Sequence, residues 1–239
     1  MGVGHVAVAL GASRAIPRVN VGWLIFAAFL SDFLLGVFAF LGMEHASVPD
    51  SYATKHYLLF TFPYSHGLAA LLVWAAIFGF LVARSYAVEL RRMWLVVALV
   101  VLSHYLLDGL VHVAGLPLLG QNSPKLGLGL WNDMPLELSL ETLMAAAGIA
   151  LYWKLRGSER SALARYGMAT FLCLVVAMTW TQLGITMPPT PRQLSISWTV
   201  VPVVFAAIAY GLDWRRARLA HETGPNGPQK RNLHPKPEI

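Results

Sequence analysis

The chain has little charge and almost no cysteine. Of its 239 residues only 13% are Asp, Glu, Lys or Arg, while 56% are hydrophobic; soluble globular domains carry about 25% charged residues. With a mean hydropathy of +0.57, this composition excludes an ordinary soluble globule and indicates an integral membrane protein. Cys173 is the single cysteine, so an internal disulfide and a zinc-thiolate cluster are both ruled out. Any bound metal must take His, Asp, Glu or backbone ligands. There is no Gly-rich phosphate loop, no dinucleotide fingerprint and no internal repeat of fixed period. The start has no basic segment ahead of its apolar run, unlike a cleaved signal peptide.

What is present is a series of apolar runs. Residues 23–42, 63–84, 93–116, 136–155, 164–187 and 196–212 are each long enough to cross a hydrocarbon layer about 30 Å thick. Residues 2–12 are too short to span and read as a re-entrant or interfacial helix. The expected fold is therefore an all-α bundle of about six transmembrane helices plus that short N-terminal helix, one domain over residues 1–214. The tail 215–239 is rich in Pro, Gly, Asn and Lys and reads as a disordered basic segment.

The net charge of +6 does not indicate nucleic acid, because its carriers fall between and after the apolar runs. Arg84, Arg91 and Arg92 lie in one connection, Lys154, Arg156, Arg160 and Arg165 in another, and Arg215, Arg216 and Arg218 open the tail. The alternate connections hold one basic residue each: Lys55, Lys125 and Arg192. The positive-inside rule then predicts that both termini are cytoplasmic.

The stretch 101–119, VLSHYLLDGLVHVAGLPLL, organises the rest. His104, Asp108 and His112 drift by only about 40° per step around a helix and form one polar stripe. An ionisable group at the centre of a spanning helix costs roughly 2.5–3.5 kcal/mol or more, so the stripe needs a compensating partner: a metal, a hydrogen-bond network or a wet cavity. Depth sorting places Asp32, His66, Glu137 and Glu141 in the same outer half of the bundle. His112 is expected at the surface and solvated, and Glu44 and His45 are expected to leave the outer end. Imidazoles with carboxylates suit zinc or a similar divalent cation, and Glu137 or Glu141 suits a general base. An opening to the outer leaflet favours a lipid-borne ester or phosphoester as substrate.

Gly4-His5, Asp32 at the close of an apolar run, Ser65-His66 and SHYLLDGLVHVAGLPLL together resemble the bacterial inner-membrane metal-dependent hydrolase family of the YdjM-like type. The resemblance covers roughly the first half of the chain. It implies His5, Asp32, His66, His104 and Asp108 as metal ligands; His112, the third member of the stripe, is a further candidate ligand. Members usually carry Pro-Asp-x-Asp where this chain reads SDFLLG, and His-Arg-Gly ahead of the Thr-His where it reads TFPYSH. Either His45 or His56 replaces the missing imidazole, or the ligand set is smaller. A second class of reading stays open: a non-catalytic membrane subunit packed against protein partners, whose polar cluster is structural or holds a haem or pigment.

Overall fold

The computed structural model describes residues 1–86, 89–156 and 162–222. It is an all-α bundle in which helices are joined at one end by two short hairpins. A short helix α1 (Gly2–Ala12) is followed by α2 (Val21–Ala28) and α3 (Leu30–Phe40). Strand β1 (His45–Ser47), the single turn α4 (Tyr52–Lys55) and β2 (Leu59–Thr61) come next, then α5 (Leu68–Tyr86) and α6 (Leu90–Val111). The hairpin β3 (Val113–Pro117) and β4 (Lys125–Leu128) precedes α7 (Met134–Arg156), α8 (Ala162–Trp180) and α9 (Pro191–Glu222).

Five of these helices, α5 to α9, are long and apolar enough to cross a membrane, and α2 with α3 adds a sixth if the bent pair is one span. Their outer surfaces are apolar, with Phe80, Leu99, Leu106, Leu143 and Leu174 all exposed. In water such a surface would drive association, whereas lipid accommodates it.

Four features differ from the sequence expectation. The first apolar run bends by 54° between α2 and α3. The third run stops being helical at Val111, and residues 113–117 pair antiparallel with 125–128; Gly115 and Pro117 favour the extended path. The second run enters its helix at Leu68 rather than residue 63, because 59–61 pairs with 45–47. Helix α9 continues to Glu222, past the boundary expected for the basic tail, and residues 223–239 lie outside the described part.

Helix α1 is a core element. Val3, Gly4, His5, Val6, Ala7, Ala9 and Leu10 are buried, because α1 packs between α2 and α7. A Cβ at Gly148 would come within 2.7 Å of the Ala7 Cα, so glycine there is what admits the helix. The sequence groups residue 1 with the arginine loops. In the structure Met1 is buried beside Asp108 and Gly11 approaches Leu151. Helix α1 therefore begins in the core and leads out to Arg14 and Arg18.

The two ends of the bundle differ in their polar groups. At the arginine end Asn20 caps α2, accepting from Gly22 N–H at 2.8 Å. Beside it Asp213 of α9 accepts from Val21 N–H at 3.0 Å and from the Tyr152 hydroxyl at 2.7 Å. The hairpin end holds the buried histidines and, among the described residues, the remaining buried carboxylates.

Candidate metal centre

Three helices and one loop build the site. Helix α1 supplies His5 and α3 supplies Asp32. The loop ahead of α5 supplies His66, α6 supplies His104 and Asp108, and His112 follows at the end of α6. All five of the residues His5, His66, His104, Asp108 and His112 are at most 5% exposed, so bulk solvent does little to satisfy them. Asp32 is partly covered, its side chain 25% exposed.

The bend between α2 and α3 has a direct role. In a continuous helix the Ala28 carbonyl would accept from the N–H of Asp32; at the bend it accepts from His104 Nδ1 at 2.7 Å. A carbonyl can only accept, so Nδ1 carries the proton, and Nε2 of the neutral ring is a bare lone pair. His66 is fixed the same way by a longer chain. Glu44 turns back from the end of α3, is 1% exposed, and accepts from Tyr64 N–H at 2.7 Å and Ser65 N–H at 2.9 Å. It also accepts the Ser65 hydroxyl proton at 2.6 Å. With that proton spent, Ser65 Oγ can only accept from His66 Nδ1, 2.8 Å away. His66 Nε2 is then bare as well.

The two bare nitrogens, His104 Nε2 and His66 Nε2, face each other at 3.1 Å. With both rings neutral these atoms present only lone pairs to each other, an arrangement that a shared proton or a metal cation satisfies. Carboxylates complete the surroundings. Asp32 Oδ1 lies 3.6 Å from His66 Nε2 and 3.8 Å from His104 Nε2, and Asp108 Oδ2 lies 3.2 Å from His104 Nε2 and 3.7 Å from His66 Nε2. The buried histidines and aspartates could thus hold a metal ion, in either of two overlapping triads: Asp32, His66 and His104, or His5, His104 and Asp108. The donor set is nitrogen and oxygen, as expected when no thiolate is within reach, and it suits a divalent cation.

His5 stacks on His104 with ring centroids 3.9 Å apart and planes 7° from parallel. Its Nε2 is 3.3 Å from Asp108 Oδ1, yet neither ring nitrogen has a hydrogen-bond partner. His112, expected to be solvated, is buried. Its Nε2 is 3.3 Å from Asp108 Oδ2, and Phe60, Phe62 and Trp131 pack around the ring. It belongs to neither triad, and acts as a partner of Asp108. His45 is exposed on β1, and His56 bonds through Nδ1 to the Ile185 carbonyl at 3.1 Å; neither joins a triad. Glu137 and Glu141 are each 2% exposed, buried on one face of α7.

One cavity meets the site and a second adjoins it. The smaller, about 230 Å³, is lined by Asp32, His66, Asp108 and His112. The larger, about 860 Å³, is lined by Glu137 and Glu141 together with apolar residues that include Met134, Met187 and Leu194. Phe60, Trp131 and Trp198 line both. The sequence gives no signal for Glu44 or the Ala28 carbonyl, the two groups that set the histidine tautomers; a bend free of Pro and Gly and a returning loop are tertiary facts. Compared with family models, curated proteins and solved structures, the chain matches none at a significant level.

Proposed function

We propose that this chain is a membrane-embedded metal-dependent hydrolase, of the YdjM-like type, acting on a lipid-borne ester or phosphoester at the bacterial inner membrane. The observation that carries the reading is the pair of imidazole Nε2 atoms 3.1 Å apart between two aspartates. Asp32, His66, His104 and Asp108 are its ligands, and zinc suits them best because it accepts imidazole and carboxylate together in small coordination shells. Such an ion lowers the pKa of a water toward about 7 and polarises an ester or phosphoryl oxygen.

The chain's own residues do the remaining work. Ala28 and the Glu44–Ser65 pair hold the two histidines in the ligating tautomer. Glu137 and Glu141, one turn apart on α7, stand at the larger cavity and move the proton between water and leaving group. The apolar walls of that cavity receive an acyl chain. Trp131, Phe60 and Trp198 restrict bulk water between the two chambers. The basic connections place the arginine end in the cytoplasm, so the site opens toward the outer leaflet.

The smaller cavity argues against the cofactor reading. At about 230 Å³ it is below the roughly 300 Å³ at which pockets for drug-sized ligands begin, too small for a tetrapyrrole between the histidines.

Elemental analysis of the detergent-purified chain tests the reading. Near-stoichiometric zinc that disappears in the double variant His104→Ala, Asp108→Ala, with hydrolysis of ester or phosphoester lipids in mixed micelles lost on chelation and restored by zinc, supports it. Zinc-independent hydrolysis, or a haem-like visible absorbance band in place of the metal, overturns it.

A further inference from the structure

Met1, Gly2, Phe60, Trp131 and Trp198 line both cavities, so they mark the passage from the larger chamber to the metal ligands. Its two sides are built differently. On one side three rings come from three separate elements: Phe60 from β2, Trp131 from the turn after β4 and Trp198 from α9. Phe60 is the ring they share. Its centroid lies 6.3 Å from Trp131, 5.6 Å from Trp198, 5.2 Å from Phe62 and 5.5 Å from His112, all within the range of aromatic contact. On the other side stands Gly2, where a Cβ would meet nothing within 4 Å. Gly148 is glycine to admit a neighbouring helix, since a Cβ there would strike Ala7 at 2.7 Å. At Gly2 the missing side chain leaves open space in the passage itself.

The aromatic side is held in position. Phe60 pairs across its hairpin with Ala46. Tyr57 stacks on Trp131 with centroids 6.2 Å apart and planes 15° from parallel, and Lys55 Nζ donates to the Asn132 carbonyl at 2.8 Å. The last two ties join the segment that carries Phe60 to the turn that carries Trp131, so the rings keep their spacing.

The chambers on either side are unequal. The one at the metal ligands is about 230 Å³ and the one beyond the passage about 860 Å³. The smaller takes a scissile group and little more, so a chain attached to that group must run back past Gly2 into the larger. An unbranched methylene chain has the girth of a small aliphatic side chain, which is the space that Gly2 leaves. A branch beside the scissile group meets the Phe60 ring.

We infer that this passage is a girth filter in which Phe60 and Gly2 determine specificity, admitting substrates whose chain is unbranched next to the scissile bond and excluding those branched there. The inference rests on the metal reading above and adds the shape of the substrate to it.

The test uses the whole detergent-solubilised chain loaded with cobalt(II), whose visible absorption changes when a carboxylate joins the metal. The probes are octanoate and 2-propylpentanoate, isomers of equal charge that differ in girth beside the carboxylate. Octanoate is expected to bind more tightly by about 10-fold or more, the discrimination that a hydrophobic pocket draws from a methylene or two. Phe60→Ala is expected to raise the affinity for 2-propylpentanoate to near that for octanoate. Gly2→Val, which fills the gap without a clash, is expected to weaken octanoate by a similar factor while the cobalt stays bound. Equal affinity for the isomers in the unaltered chain, binding of neither, or a preference that survives both substitutions overturns the filter and leaves the metal site standing. No bound cobalt in the unaltered chain overturns both. The preference of the unaltered chain decides the matter even where a variant folds poorly.

Discussion

Asp213 and Asp108 are both buried aspartates in an apolar bundle, and they are treated in opposite ways. At the arginine end Asp213 receives a backbone N–H on one oxygen and a tyrosine hydroxyl on the other. At the hairpin end Asp108 receives, among the described residues, no hydroxyl or side-chain amide; it is ringed by His5, His66, His104 and His112 and by the Met1 nitrogen. One is a closed network that ties α2, α7 and α9 together. The other is an open one: the Met1 nitrogen donates to Oδ1, and the remaining neighbours are imidazoles, which can give lone pairs to a cation. A carboxylate kept for packing is saturated by the protein, and a carboxylate kept for chemistry is left for a ligand.

That contrast is most strongly tested by exchanging the losses. Replacing Asp108 by Ala abolishes zinc binding, measured by equilibrium dialysis, and strands the buried Met1 nitrogen, so metal-free stability also falls, by about 3–5 kcal/mol. Replacing Asp213 by Ala spares the metal. It strands the Val21 N–H and the Tyr152 hydroxyl, costs about 1–3 kcal/mol for each group left unsatisfied, and leaves zinc stoichiometry of the folded fraction intact. If the two variants behaved alike in both assays, the distinction between the ends would fail.

A smaller effect is expected one shell out. Glu44→Gln still accepts hydrogen bonds, but it weakens the hold on Ser65 and frees His66 to change tautomer. Loss of such an outer partner costs about 10–100-fold in metal affinity, read by competition with a chromophoric chelator, with little change in melting temperature. Gly148→Ala should have the mildest consequence for the ligands and the clearest one for packing. The added methyl meets Ala7 at 2.7 Å, pushes α1 off α7, and destabilises by about 1–3 kcal/mol. His5 moves with α1, whereas His66 and His104 do not.

Much of this architecture could be read from composition and spacing. Long apolar runs announce themselves because lipid tolerates nothing else, and the stripe of His104 and Asp108 follows from helical periodicity alone. The bend at Phe29 could not be read: AAFLSD contains neither Pro nor Gly, and the break is stabilised by His104, which lies 76 residues away. The end of α6 was partly legible, since Gly115 and Pro117 both disfavour helix, yet the run's hydropathy hid them. His112 reads as a surface residue from its depth in the span; Phe60 of the first hairpin and Trp131 of the turn after the second roof that end and bury it. Glu44 gives no local sign of its role, because the chain must turn back from α3 before its carboxylate meets Ser65.

X-ray absorption at the zinc edge of the zinc-loaded chain tests the central claim most directly. The account predicts a nitrogen and oxygen shell near about 2.0–2.1 Å with the multiple-scattering pattern of at least two imidazoles, reduced when His66 and His104 are replaced. A hydrated ion without imidazole scattering, or a spectrum unchanged by those replacements, would contradict it.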